Sequence, residues 1–262
     1  MRLVIDVGNT ETYFALYKDT ALKLGDWRVK TRADITVDEM RASLHTLMEL
    51  DKVSVQDIDC LVLSCVVPRL NDLYERLARE LKADLIQASY LNVPRLSFDY
   101  PEPEMIGADR LVNALAAIDK YGAPAIIVDF GTATNIDVIS GQCAYLGGTI
   151  APGLELSLNA LVSHAAKLSS IEIKAPTSVI GKSTTEALQS GVMLGTASMI
   201  RGMVERIKTE LAAQSDEKVF VIATGGLAAQ IAQVCDIFDA VDVDLTLHGL
   251  NLIADAHRDL NN

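Results

Sequence analysis

LVIDVGNTETYFALY, residues 3–17, is an apolar run broken by Asp6-Val7-Gly8-Asn9-Thr10 that returns at once to apolar and aromatic residues. The pattern predicts two strands joined by a tight bend. A two-residue hairpin turn needs only Asn-Gly or Asp-Gly. This bend carries a carboxylate, a glycine and two further hydrogen-bonding side chains, more polar chemistry than a turn requires. The stretch also recurs. Val4-Ile5-Asp6-Val7-Gly8-Asn9-Thr10 is matched in outline by Ile127-Val128-Asp129-Phe130-Gly131-Thr132-Ala133, 123 positions later in a chain of 262 residues. Matched features in the same order, close to half the chain apart, predict an internal duplication. The halves are residues 1–121 and 122–262, packed face to face across a cleft.

The rest of the chain fits an α/β plan. Strands are expected at 2–7, 11–18 and 21–29, a helix over 36–50, a buried strand at CLVLSCVVP (60–68), a helix over 69–81 and a strand at 83–89. Residues 89–106, punctuated by Pro94, Pro101 and Pro103, read as a loop long enough to suggest function. A helix follows over 108–121. The second half opens with strand, bend and strand over 124–140, then a strand at 144–151, a helix from Pro152, a long helix near 184–213, a strand at 219–226, and helices near 227–234 and 246–259. Gly191, Gly195 and Gly202 fall inside the long helix, where each costs about 1 kcal/mol against alanine. The first two share a face open to another helix, internal or across a dimer.

Bulk properties exclude several classes. Half the residues are hydrophobic and 22% are charged, as in a globular protein. No stretch reaches the roughly 18 apolar residues of a membrane span. The chain enters a strand-like run at once, so no secretory signal is expected. A net charge of −12 argues against a nucleic-acid partner, since a phosphate backbone needs a basic face. Cys60, Cys65, Cys143 and Cys235 form no Cys-x-x-Cys pair and suit a reducing cytoplasm. The four histidines show no metal spacing.

The two bends suggest phosphate binding. Backbone N–H groups of a glycine-containing bend can point at an anion. Gly8 and Gly131 allow close approach, and Asn9, Thr10, Thr132 and Thr134 add neutral donors. Asp6 would repel phosphate directly, so its role is to orient Mg²⁺ through water. Two such bends facing across a cleft would hold a nucleoside triphosphate from both sides, and ATGG (223–226) offers a glycine surface for the nucleoside. This is the pattern of the actin, Hsp70 and sugar-kinase superfold, two ribonuclease-H-like halves around an ATP cleft. Rival motifs fail: IGKST (180–184) resembles the tail of a P-loop, but Pro176 stands where that loop needs glycine. No Gly-x-Gly-x-x-Gly occurs.

Over nearly its whole length the chain resembles the type III pantothenate kinases. The resemblance rests on DVGNT (6–10), WRVKTRADITVDE (27–39), SCVVP (64–68), YPEPEMIGADRLVNALAA (100–117), VDFGTAT (128–134), YLGGTIAPGL (145–154), GKSTTEALQSG (181–191) and ATGG (223–226). GADR after a tyrosine-containing, proline-punctuated loop is the most specific of these. The resemblance implies ATP-dependent phosphorylation of the primary hydroxyl of pantothenate, the first step of coenzyme A synthesis. It implies a cytoplasmic homodimer needing Mg²⁺ and a monovalent cation, potassium or ammonium. It places Asp6, Val7, Gly8, Asn9, Thr10, Glu11, Thr12 and Tyr13 along the ATP phosphates, with Thr132 on the opposite bend. It places Tyr100, Gly107, Ala108, Asp109, Arg110 and Thr184 against pantothenate, with Asp109 as general base, and makes Asp129 a ligand of the monovalent cation.

Taken without the resemblance, these residues have plainer readings. Asp109 in the first turn of a helix is a dipole-favoured charge and Arg110 a surface cation. Asp129 can cap its own turn, Thr184 can be a helix N-cap, and Tyr100 can pack in a core. With the family, Asp109 accepts the hydroxyl proton and Arg110 pairs with the substrate carboxylate. Four positions depart from the family pattern: Asn135 after GTAT, Ala15-Leu16 after the first bend, Leu168-Ser169 after the helix over 152–168, and Tyr13 where some members carry lysine. Glu11 adds negative charge beside the phosphates, its side chain expected to point away. Two other functions fit the scaffold: a nucleotide-sensing accessory protein, and a kinase or ATPase with a different acceptor. Retention of Tyr100, GADR and Thr184 argues for the pantothenate kinase.

Overall fold

The computed structural model describes residues 1–19, 22–164, 171–213 and 217–260. Leu168 and Ser169, one of the family departures, lie outside the described residues. The chain divides into two compact units. The first comprises Met1–Leu96, Pro101–Ala116 and Leu245–Asn262; the second comprises Ser97–Tyr100 and Ala117–Asp244. These units differ from halves 1–121 and 122–262 mainly in assigning the last helix to the first unit.

The first unit is built on five strands: β1 (Arg2–Val7), β2 (Glu11–Tyr17), β3 (Lys23–Lys30), β4 (Cys60–Cys65) and β5 (Asp84–Gln87). Their order in the sheet is β3-β2-β1-β4-β5. The first three form an antiparallel meander, while β4 and β5 run parallel to β1. Helix α1 (Val37–Leu50) starts at Thr36, whose hydroxyl accepts from Glu39 N while the Glu39 carboxylate answers Thr36 N, a capping box. Met40, Leu44 and Met48, spaced by four, make its buried stripe. A 3₁₀ turn at Pro68–Leu70 leads into α2 (Asn71–Leu81), which buries Leu73, Tyr74, Leu77 and Ala78. These side chains join Leu3, Ile5, Phe14, Leu61 and Leu63 in one core.

The residues read as one long loop, 89–106, include β6 (Ser97–Phe98) and a 3₁₀ turn at Pro103–Met105. Helix α3 (Ala108–Tyr121) follows. The second unit has strands β7 (Ala125–Phe130), β8 (Ala133–Ile139), β9 (Ala144–Pro152), β10 (Phe220–Thr224) and β11 (Ala240–Val241). Their order is β11-β10-β7-β8-β9-β6. With β6 set aside as a sixth strand on the outer side of β9, the second sheet repeats the order of the first, 3-2-1-4-5 when β7 is counted as strand 1, three antiparallel strands followed by two parallel to the first. The repeated bend therefore belongs to a repeated topology.

Helix α4 (Leu154–His164) follows β9. The long helix divides into α5 (Thr184–Gln189), a π turn at Ser190–Leu194, and α6 (Gly195–Ala212). At this interruption Ser190 Oγ donates to Val179 O at 2.6 Å and Gln189 Nε2 to Glu172 O at 3.0 Å, tying the helix to the preceding loop. Helix α7 (Ala228–Ala232) and α8 (Leu245–Leu260) complete the chain. Helix α8 lies on β1 and β4. Its anchor is Arg2, 2% exposed, whose Nη1 donates to Asp255 Oδ1 at 2.6 Å and to Asn251 Oδ1 at 3.0 Å.

Candidate active site

In the first unit the chemistry gathers at the end of β1. Asp6 is flanked across the sheet by Tyr13 on β2 and Ser64 on β4. Paired residues on neighbouring strands project to the same face, so these side chains share a surface with the carboxylate. Burial, and then the negative charge of Asp109, push the Asp6 carboxyl up to about 7, against the Ser64 hydroxyl and Arg28, which favour its charged form. Arg28 lies 4.1 Å above the Tyr13 ring and within 4.0 Å of Glu11. The exposed Glu11 is thus answered by a cation. The Tyr13 hydroxyl donates to Asp26 at 3.2 Å.

The bend itself closes through Gly8 N, which donates to Glu11 O at 3.0 Å. Asn9 and Thr10 are exposed at its tip, whereas Thr12 is buried and its hydroxyl meets that of Thr31.

Asp109 stands in the first turn of α3. Gly107 O accepts the first helical bonds, from Arg110 N and Leu111 N, and Asp109 Oδ1 accepts from Arg110 N at 2.9 Å. The carboxylate folds so far back that a Cβ on Gly107 would stand 2.6 Å from Oδ1. The helix terminus and Arg110 favour the charged form, but burial outweighs them and holds the Asp109 carboxyl above the usual range. Gly107 and Ala108 also line a cavity of about 380 Å³ with Cys65, Ser89, Tyr90 and Glu104. The first unit therefore places Asp109, whose negative charge acts on Asp6, next in sequence to the lining of a cavity able to take a small molecule.

Tyr100, Asp129, Thr132 and Thr184 belong to the second unit. Tyr100, 38% exposed, packs edge-on against Tyr145 with ring centroids 5.8 Å apart. Asp129 is flanked by Thr224 on β10 and Asn135 on β8. Gly225, with φ +89°, lies so close that a Cβ would meet Asp129 Oδ1 at 2.4 Å. Thr132 is exposed at the second bend, and its carbonyl accepts from Gly153 N at 3.1 Å. Thr134 is buried, so it offers no donor at the tip. Thr184 is the exposed first residue of α5; the cap is Ser183, whose hydroxyl accepts from Glu186 N at 3.2 Å. Thr184 is therefore not the N-cap.

Among the described residues no group of three or more His, Cys, Asp or Glu side chains gathers as a metal site. Oxygen donors suited to hard cations are nevertheless present. Thr224 Oγ1, buried beside Asp129, makes no hydrogen bond among the described residues, and the buried Ser64 hydroxyl stands beside Asp6 and favours its charged form. A carboxylate with a neighbouring hydroxyl fits a Mg²⁺ hydration shell or a monovalent cation.

Sequence reasoning assigned no role to Arg28, Thr31, Ser64 or Thr224. All four occur in the quoted motifs, but their meaning depends on which strands become neighbours.

Solved structures share this architecture. The activator of 2-hydroxyisocaproyl-CoA dehydratase from Clostridium difficile, with bound ADPNP, has a TM-score of 0.61 at 12% identity, covering 99% of this chain and 97% of that one. The (R)-2-hydroxyglutaryl-CoA dehydratase component A of Acidaminococcus fermentans has a TM-score of 0.57 at 14% identity, covering 100% and 99%. The fold class is the actin, Hsp70 and sugar-kinase superfold. Within it, the sequence profile of the type III pantothenate kinases matches residues 2–206. A type III pantothenate kinase of Roseiflexus sp. (strain RS-1) is 40% identical over 259 residues, 98% of this chain and 100% of that protein. One of Rhodospirillum rubrum is 42% identical over 264 residues, 97% of each. The chain belongs to the type III pantothenate kinase family and is a kinase.

Proposed function

We propose that the protein transfers the γ-phosphoryl group of ATP to the primary hydroxyl of pantothenate, giving 4'-phosphopantothenate in the first step of coenzyme A synthesis. The observation that carries this reading is the pair of coupled carboxylates, Asp6 beside the bend and Asp109 near the cavity. Asp109 is the general base. As the hydroxyl oxygen bonds to phosphorus, Asp109 accepts its proton, and the bond from phosphorus to the bridging oxygen of ADP breaks. A carboxyl with raised proton affinity suits that task near neutral pH. Phosphoryl transfer has a loose transition state, so positioning supplies most of the rate.

The stretch from Asp6 to Tyr13 holds the ATP phosphates, joined by Thr132. Asn9 and Thr10 contribute exposed donors, and Thr12 supports the bend from within. Tyr100, Gly107, Ala108, Arg110 and Thr184 bind pantothenate, Arg110 countering its carboxylate. Asp6 would hold Mg²⁺ through water, and the ion would supply positive charge against the phosphates. Asp129 holds the monovalent cation, with Thr224 Oγ1 as a second oxygen; potassium or ammonium would fit.

The molecule works as a homodimer in the cytoplasm, its two ribonuclease-H-like halves set at 1–121 and 122–262. Gly191, Gly195 and Gly202 on exposed positions of the long helix support the dimer, because a Cβ at each would meet nothing within 4 Å among the described residues. The four free cysteines suit a reducing compartment. No helix among the described residues is long and apolar enough to cross a membrane.

The test is ADP release by the purified protein with Mg²⁺ and ATP, with and without pantothenate, in sodium and then in potassium buffer. Pantothenate-dependent release confined to potassium supports both the acceptor and the cation. No pantothenate-dependent release in either salt removes the proposal.

A further inference from the structure

We infer that Thr31 is a positioning residue that aims the first bend at its phosphate ligand. Thr31 follows β3 and makes two bonds to the bend: its hydroxyl donates to Gly8 O at 2.8 Å, and its N–H donates to Thr10 O at 2.9 Å. A trans peptide points its C=O and the following N–H in opposite directions. Pinning the Gly8 carbonyl toward Thr31 turns Asn9 N–H to the far side. Pinning the Thr10 carbonyl does the same for Glu11 N–H. One threonine thus orients two backbone donors of a bend whose tip is otherwise exposed.

The Thr31 hydroxyl is itself held. Its proton goes to Gly8 O, so at 2.9 Å its oxygen accepts from the hydroxyl of Thr12, which is 1% exposed. The support therefore reaches from the bend into the core.

The second unit shows which part is special. Gly153 follows β9 as Thr31 follows β3, and its N–H donates to Thr132 O at 3.1 Å, the counterpart of the bond to Thr10 O. A glycine has no hydroxyl, so Gly153 cannot make the bond to the glycine carbonyl that Thr31 makes at the first bend. A Cβ at Gly153 would also stand 2.4 Å from Gly131 O. The hydroxyl clamp is thus an addition to the repeated architecture, placed at the bend next to Asp6.

This inference rests on ATP as the ligand of the first bend. The test compares Thr31→Val and Thr31→Ser with the parent protein, measuring KM for ATP and for pantothenate and the affinity for Mg·ADP by calorimetry. Thr31→Val, which keeps the shape and loses the donor, is expected to raise the ATP KM and weaken Mg·ADP about tenfold. The pantothenate KM should stay within about twofold, and Thr31→Ser should restore ATP binding. Thr12→Val is a second variant, usable where Thr31→Val does not fold. It leaves the bond to Gly8 O and should raise the ATP KM by about threefold. Unchanged ATP and ADP binding in both valine variants overturns the inference, as does an equal loss for both substrates that serine does not rescue. A parent protein that binds no Mg·ADP removes the ATP reading itself.

Discussion

Asp6 and Asp129 occupy the same place in two sheets that share a five-strand order, β6 adding a sixth strand to the second. Each is the penultimate residue of its sheet's central strand, and each faces a hydroxyl residue on the adjoining parallel strand, Ser64 for Asp6 and Thr224 for Asp129. The equivalence ends at the next shell. Asp6 feels Asp109, whereas Asp129 is pressed by Gly225. One ancestral position thus provides a carboxylate for a divalent ion in one unit and for a monovalent cation in the other, under the function proposed above.

Asp109→Asn keeps the shape of the side chain and removes its basicity. Turnover should fall by about 10²–10⁴ with pantothenate KM little changed. In the parent protein the base must be unprotonated to accept the proton, so the rate should drop as pH falls through its raised pKa. The acid limb should therefore lie above the ordinary carboxylate range, and any residual activity of the variant should lack it. A pH–rate profile of both proteins checks this.

Asp6→Asn should stabilise the apo protein while weakening catalysis. The folded-state pKa of Asp6 is raised to about 7 from 3.8, so the native state binds more protons than the unfolded chain over that interval. Stability contributed by the protonated group is present below the unfolded value and lost as pH rises through the folded one. The variant escapes that loss. Its advantage should be absent near pH 4 and grow to on the order of 1–2 kcal/mol above pH 7, allowing for solvent screening. Urea melts at several pH values measure it.

Gly225→Ala should damage the second unit. The new methyl would meet Asp129 Oδ1 at 2.4 Å and Phe130 N at 2.7 Å in a backbone conformation with φ +89°. We expect a loss of about 2–3 kcal/mol and a higher potassium concentration at half-maximal rate, read from thermal melts and a potassium titration.

Asp255→Ala strips the buried Arg2 guanidinium of its carboxylate and should cost about 3 kcal/mol. Arg2→Met fills similar space without a charge and should cost less. Adding Asp255→Ala to Arg2→Met should cost little more, since the charge needing a partner has gone. Denaturant unfolding of the three variants decides it.

The parts legible in the sequence were those set by local rules. The bends at Asp6 and Asp129 announce themselves by turn chemistry between apolar strands, and α1 by its helical pattern with Asp38 and Glu39 in the first turn. The family motifs carried the kinase assignment. Short elements escaped because their signal is not local: β6 and β11 are two residues each and exist only through pairing with β9 and β10. Thr184 reads as a cap in sequence, but the backbone gives that place to Ser183.

The sequence by itself determined the duplicated α/β plan, the two bends and the family, because turn geometry, hydrophobic period and motif order are written along the chain. Tertiary structure decided the strand order 3-2-1-4-5, the return of α8 to β1 through Arg2, the mutual charge of Asp6 and Asp109, and the grip of Thr31 on Gly8. Each of these depends on residues far apart in the chain meeting in space. Burial then changes their energies, raising the proton affinity of Asp6 and Asp109 and leaving the Thr224 hydroxyl without a hydrogen bond among the described residues, and no local pattern records that.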